Sequence, residues 1–212
     1  MMNILNDPNN NILDDNTKFD HLESDNDLES GTQNSNKTIL EPKLKINEVT
    51  VFTDGSCMRQ KDNKGKEFLS CGYGIYYPNK ELPNVSRALK NDPPTNNRAE
   101  LQAIYVAIIQ VKKKYDFNKL IIYSDSKYCI QALTEYVKVW RVNGWKTSKK
   151  QPVENQDIIK PLDNMITKLK DKVIFVHVRA HTKKQDAISL NNDMADKLAK
   201  WGAEKSIPYY VQ

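Results

Sequence analysis

Hydrophobic and polar positions divide this chain into two unequal parts. Residues 1 to about 46 scatter a few apolar side chains, such as Ile12, Leu13 and Phe19, through a background of Asn, Asp, Ser and Glu. Such a segment buries too little apolar surface to offset the entropy of ordering it, and disorder is expected. Around Val49 the pattern becomes regular. Residues 49–53 (VTVFT) are β-branched and aromatic and predict a strand, with Gly55 ending it. Residues 71–77 predict a second strand stopped by Pro78, with the lysine-rich residues 59–66 as a hairpin-type loop, and residues 82–89 a third. Short connections make these three an antiparallel meander. Residues 95–113 keep helical spacing through Ala99, Ala103, Val106 and Ala107, behind Thr95 as N-cap. The continuous apolar run 120–124 predicts a strand that returns parallel to the first through a helical crossover. A helix from Lys127 to about Leu133, an irregular stretch 142–152, a helix over 155–169, a strand over 173–178 and a helix over 193–201 complete the pattern. Together they predict an α/β fold: a five-stranded mixed sheet, strands 1–3 antiparallel and 4–5 parallel, flanked by helices in one domain. Residues 1–46 form an acidic leader, 47–205 the folded domain and 206–212 a tail.

Charge sharpens this division. Residues 1–48 hold 10 acidic and 4 basic residues, a net of −6, while the whole 212-residue chain is +5. The body from residue 49 therefore carries +11, as expected of a protein that tracks a phosphate backbone. Cys57, Cys71 and Cys129 are odd in number, widely spaced and without a CxxC pair. That argues against a disulfide framework or zinc ribbon and for a reducing compartment. No apolar run is long enough to span a bilayer, and the N-terminus lacks the basic and apolar regions of a signal peptide. A soluble intracellular protein is expected, with no membrane partner. Phe19 to Leu28 is a candidate amphipathic segment for a protein partner of the leader.

The candidate chemistry lies in four acids: Asp54, Glu100, Asp125 and Asp196. Two follow runs that read as buried strands, which should sit side by side, and two fall in helical stretches. Acidic side chains are rarely buried unless paired or bound to a metal. Carboxylate oxygens without a His or Cys cluster suit hard cations, Mg²⁺ or Mn²⁺. Four acids can hold two such ions, the arrangement that serves phosphoryl displacement. Each acid taken singly reads as a cap or turn residue; four converging from separate elements do not.

Seven segments then match a known family in order: residues 52–56 (FTDGS), 72–76 (GYGIY), 95–100 (TNNRAE), 120–126 (LIIYSDS), 140–147 (WRVNGWKT), 176–181 (VHVRAH) and 192–199 (NDMADKLA). From Val49 to Ala203 the chain resembles ribonuclease H of type 1, in its cellular eukaryotic form. The resemblance implies the ribonuclease H-like fold and endonucleolytic hydrolysis of the RNA strand of an RNA·DNA hybrid. It implies two Mg²⁺ ions per site, with Mn²⁺ as a substitute, and 5′-phosphate and 3′-hydroxyl ends. Asp54 would bridge the two ions, with Glu100, Asp125 and Asp196 completing the set. Asp196 is chosen over Asp193 because it follows the small Ala195 and precedes Lys-Leu-Ala. His181 matches a histidine thought to assist proton transfer or product release, while His177, inside a strand pattern, reads as a core or structural histidine.

The same resemblance assigns the hybrid's two strands. Cys57, Gln60, Asn96 and Asn97 would line the RNA side, where the 2′-hydroxyl is read. Thr95, Asn155, Tyr128, Tyr136, Trp140 and Ser148 would meet the DNA strand, with Thr95 and Asn155 around one phosphate. Tyr136 stands where the eukaryotic form carries a second tryptophan, and Pro93 replaces an arginine of the phosphate pocket, a change that weakens the grip. Eukaryotic members usually begin with a small domain rich in Gly, Tyr and Trp that binds the hybrid. Residues 1–48 contain one glycine and no tyrosine or tryptophan, so that domain is expected to be absent and the enzyme a distributive monomer. A catalytically silent binding module has no need of all four acids. An integrase-type nuclease would space them differently.

Overall fold

A computed structural model describes residues 42–90, 93–180 and 185–210. The elements are β1 (Leu44–Lys61), β2 (Glu67–Tyr76), β3 (Val85–Ala88), α1 (Asn96–Lys114), β4 (Tyr115–Ser124), α2 (Lys127–Gln131), a π-helical turn (Ala132–Tyr136), α3 (Val137–Val142), α4 (Gln156–Leu169), β5 (Val173–His177), α5 (Ala187–Glu204) and β6 (Tyr209–Tyr210). The sheet order is β3-β2-β1-β4-β5, with β6 added beside β2. Pairing is antiparallel from β3 to β1 and parallel from β1 to β5, as the hydrophobic pattern predicts.

β1 departs from expectation in length. It neither waits for Val49 nor stops at Gly55. Leu44, Lys45 and Ile46, inside the expected leader, pair with Tyr115, Asp116 and Phe117 of β4. Beyond Gly55 the strand continues as far as Lys61, opposite Glu67, because β2 supplies a partner for every residue. The hairpin turn is tight: the Asp62 side chain accepts from the backbone N–H groups of Lys64 and Lys66, at 2.8 and 2.9 Å.

Side chains alternate across β2, and the two faces bury different helices. Tyr73 and Ile75 join Val49, Val51, Leu120 and Ile122 in the main core against Leu101, Ile104 and Ile108 of α1 and Ile159 and Leu162 of α4. Gly72 and Gly74 point the other way, toward α5. A Cβ on Gly74 would lie 2.3 Å from the carbonyl oxygen of Ala195, and one on Gly72 2.1 Å from the backbone nitrogen of Ala203. The Gly-Tyr-Gly pattern thus lets α5 lie directly on β2. Ser86 Oγ on β3 also donates to the Leu198 carbonyl at 2.8 Å.

Two cysteines correct the expectation of free thiols. The register places Cys57 of β1 directly opposite Cys71 of β2, and they form a disulfide with a Cα–Cα separation of 4.1 Å. Only Cys129 is free among the described residues, and it is buried; desolvation pushes its thiol up to about 12, which keeps it inert. The cross-link spans a sequence separation of 14, short enough to constrain the unfolded chain by about 3 kcal/mol. A reductant, or Cys57→Ser, should therefore lower the melting temperature by several degrees; identical melts with and without reductant would contradict the bond.

Candidate active site

Asp54 and Asp125 come together because β1 and β4 pair in parallel. Thr53 lies opposite Ser124, so the next residue on each strand is the acid. Glu100 reaches them from just past the first turn of α1. Thr95 caps that helix as predicted, its Oγ1 accepting from Arg98 N at 3.2 Å. Gly55 admits the helix: a Cβ there would stand 2.4 Å from the Glu100 backbone nitrogen. The Asp-Gly pair is thus no strand-ending turn but a close approach of strand to helix.

The result is a trio in which oxygens of Asp54, Glu100 and Asp125 lie within 4.8 Å of one another. Asp54 and Glu100 are 5% and 3% exposed. Burial first, then the neighbouring Asp125, pushes the Asp54 carboxyl up to about 7, opposed by a hydrogen bond with Glu100 and one donated by the Gly55 N–H at 2.9 Å. Burial, then Asp54 and Asp125, holds Glu100 well above the usual carboxylate range. Both carboxyls are thus held toward their protonated forms. Glu100 Oε2 is buried without a hydrogen-bond partner. Crowded, dehydrated acids with an unused acceptor fit a hard divalent cation, which would take the proton's place.

Asp196 stands one step back. Its Oδ2 accepts from Lys200 Nζ at 2.7 Å, one helical turn along α5, and it lies outside the trio. It is nonetheless the acid on α5 that raises Asp54; Asp193 is not among the groups that act on Asp54. His181 lies outside the described residues, as do three residues of the loop after it. α5 begins at Ala187, ahead of the predicted helix over 193–201, because Asp186 caps it by accepting from Ser189 N at 2.9 Å. His177 is not a core residue. It is exposed at the end of β5, where its Nε2 lies 3.2 Å from the Asp125 carbonyl oxygen.

Candidate substrate residues surround this centre in two groups. Asn96 and Asn97 are exposed at the start of α1, and Gln60 is exposed near the end of β1. Cys57 is tied up in its disulfide, so only its backbone is available. Thr95 and Asn155 come from different elements, and sequence reading missed the residue that joins them. Arg98, 5% exposed, donates its backbone N–H to Thr95 and its Nη1 to Asn155 Oδ1 at 3.0 Å, and forms an ion pair with Asp157. Asn155 sits in the left-handed region at φ 57°. Further along, Tyr136, Trp140 and Trp145 form a ladder with ring centroids 5.6 and 6.3 Å apart. Tyr128 packs half-buried against the core, and Ser148 is exposed on the turn beyond. Trp145 packs on the core, with Lys160 Nζ 5.1 Å from its ring.

Acids gathered where the two central strands of a β3-β2-β1-β4-β5 sheet meet α1 point to one class, and the RNase H family model matches residues 46–204. The chain belongs to the RNase H family, of type 1. It is similar to Ribonuclease H of Schizosaccharomyces pombe, 35% identical over 155 residues, 73% of this chain and 53% of that one. Ribonuclease H of Legionella pneumophila is 33% identical over 162 residues, 74% of this chain and 97% of its own. The chain spans about half the length of the fungal and mammalian relatives it matches. In three dimensions the RNase H domain of PFV shares the fold, with a TM-score of 0.59 at 23% identity over 75% of this chain and 96% of that domain. No helix among the described residues is long and apolar enough to cross a membrane.

The raised Asp54 carboxyl fixes a pH dependence. Its folded value, about 7, lies above its unfolded one, so the native state binds more protons between about pH 4 and 7. Metal-free stability must then fall as pH rises through that window. Asp54→Asn removes the ionisation, and should melt several degrees above wild type at about pH 8 without metal and level with it near pH 5. A gap of equal size at both pH values would refute this.

Proposed function

We propose that the chain is an endonuclease that hydrolyses the RNA strand of RNA·DNA hybrids with two divalent cations, Mg²⁺ or in its place Mn²⁺. What carries this reading is the buried trio of Asp54, Glu100 and Asp125, whose acids stay together only with a proton or a cation among them. Asp54, Glu100, Asp125 and Asp196 would together hold the cations. Bound there, the two ions supply the positive charge that stabilises the attacking and leaving oxygens of an in-line phosphoryl displacement. The products carry 5′-phosphate and 3′-hydroxyl ends. His181 serves proton transfer or product release.

The chain's own surface supports the choice of substrate. Asn96 and Asn97 offer amides beside Glu100, suited to the 2′-hydroxyl that distinguishes RNA from DNA. The backbone near Cys57 and the Gln60 side chain extend that line. Across the site, Thr95 and Asn155 grip a DNA phosphate, and Arg98 couples the two so that they move as one. Tyr136 and Trp140 stack on the DNA strand, aided by Tyr128 and Ser148, amid the cations Lys146, Lys149 and Lys150. The protein acts as a monomer, with residues 47–205 as the catalytic domain, extended by Leu44 to Ile46 of β1, and the acidic segment before them engages a protein partner.

Labelled RNA·DNA, RNA·RNA and DNA·DNA duplexes, incubated in Mg²⁺ with wild type and Asp125→Asn, decide the matter. Wild type should cut the hybrid alone. Asp125→Asn should lose about a hundredfold or more, equivalent to roughly 3 kcal/mol of transition-state stabilisation. Indiscriminate cutting by wild type would defeat the substrate assignment, and equal cutting by the variant the metal assignment.

A further inference from the structure

One buried side chain beside the trio has no part in the account so far. Asn192 lies on α5 one helical turn before Asp196, and is 3% exposed. It directs its amide at Asp125: Nδ2 lies 3.4 Å from Asp125 Oδ2. The nitrogen must be the atom on that side, because the amide oxygen would there face a carboxylate oxygen. Among the described residues, Asn192 is the side chain that donates to the Asp125 carboxylate. Its own Oδ1 is buried without a hydrogen-bond partner. A buried amide with an unused acceptor costs stability relative to an apolar residue of the same shape. Packing of α5 against the sheet is already secured by Gly72, Gly74 and Ser86, and does not call for an amide at this position.

We infer that Asn192 is the positioning residue of the acidic site: its amide holds one carboxylate oxygen of Asp125 and so sets α5, with Asp196, against the strand carrying Asp125. Each of the four acids is otherwise placed by its own element. Asp54 and Asp125 follow from strand register, and Glu100 from the approach of α1 at Gly55. Asp196 rides on a helix packed on β1, β2 and β3, and Asn192 is the side chain that reaches from that helix to Asp125. A donor on Oδ2 leaves the other oxygen free to meet a cation. Asn192 touches no reacting atom; it acts through Asp125. This inference rests on the assignment of the trio as a cation site.

Calorimetric titration of Mg²⁺ into the full chain without nucleic acid tests it, alongside melting in chelator. Asn192→Ala, and Asn192→Leu, which keeps bulk and lacks the donor, should each raise the Mg²⁺ dissociation constant by about ten- to a hundredfold, as loss of a supporting hydrogen bond to a ligand does. In the Asp125→Asn background the same changes should weaken Mg²⁺ binding no further, because the partner is already altered. At saturating Mg²⁺ the loss in rate should be largely recovered. An unchanged dissociation constant would overturn the inference, whatever the melting temperature does. So would an equal loss with Asp125→Asn already present. Failure of wild type to cut hybrids would leave these titrations readable, so the two proposals fail separately.

Discussion

Mutual repulsion among Asp54, Glu100 and Asp125 governs the rest of this molecule. Three carboxyl groups with oxygens within 4.8 Å, two of them almost wholly buried, cannot all ionise without a compensating charge. The fold accepts that cost because its strongest features force the acids together. Parallel pairing of β1 with β4 is among the most extensive contacts of the sheet. It delivers two acids side by side with no freedom to separate. Gly55 removes the one obstruction that would hold α1, and Glu100, at a distance. Without a cation, Asp54 and Glu100 are held toward their protonated forms.

The supporting parts follow from that requirement. A site that must exchange a proton for a cation needs rigid walls, and they are built from close backbone approaches rather than large side chains. Gly55 brings α1 onto β1; Gly72 and Gly74 bring α5 onto β2. The Cys57–Cys71 disulfide joins β1 to β2 three residues past Asp54, in a small cluster with Leu89 and Ala99, the residue before Glu100. Arg98, two residues before Glu100, ties the other side of the same turn to Asn155 and Asp157. The first turn of α1 is thus braced from both flanks, and it presents Asn96 and Asn97 beside the acids.

Much of this could be read from the chain. β-branched runs ending in Asp54 and Asp125 gave away both strands and, through the crossover rule, their parallel pairing. Thr95 marked the start of α1, while the preference for Asp196 over Asp193 rests on the resemblance to the family's final motif. Other features depend on neighbours that local sequence does not reveal. β1 runs on through Gly55 because β2 pairs with every residue to Lys61, whereas Asp-Gly alone reads as a turn. Cys57 and Cys71 become partners only through register, so their separation and odd company pointed to free thiols. The start of α5 hid behind a loop reading because its cap, Asp186, follows a run of polar residues. Arg98, Lys200 and Asn192 each work through a partner on another turn or element, a signal visible only as i, i+4 spacing for the two that flank Asp196.

The central claim is that a proton occupies the acidic cluster until a cation displaces it. Counting protons released on Mg²⁺ binding, by calorimetry in buffers of different ionisation enthalpy, tests this most directly. Just below the Asp54 value of about 7, binding should release a substantial fraction of a proton. That release should be reduced in Asp54→Asn. Mg²⁺ binding with no proton release near pH 6.5 would contradict the account.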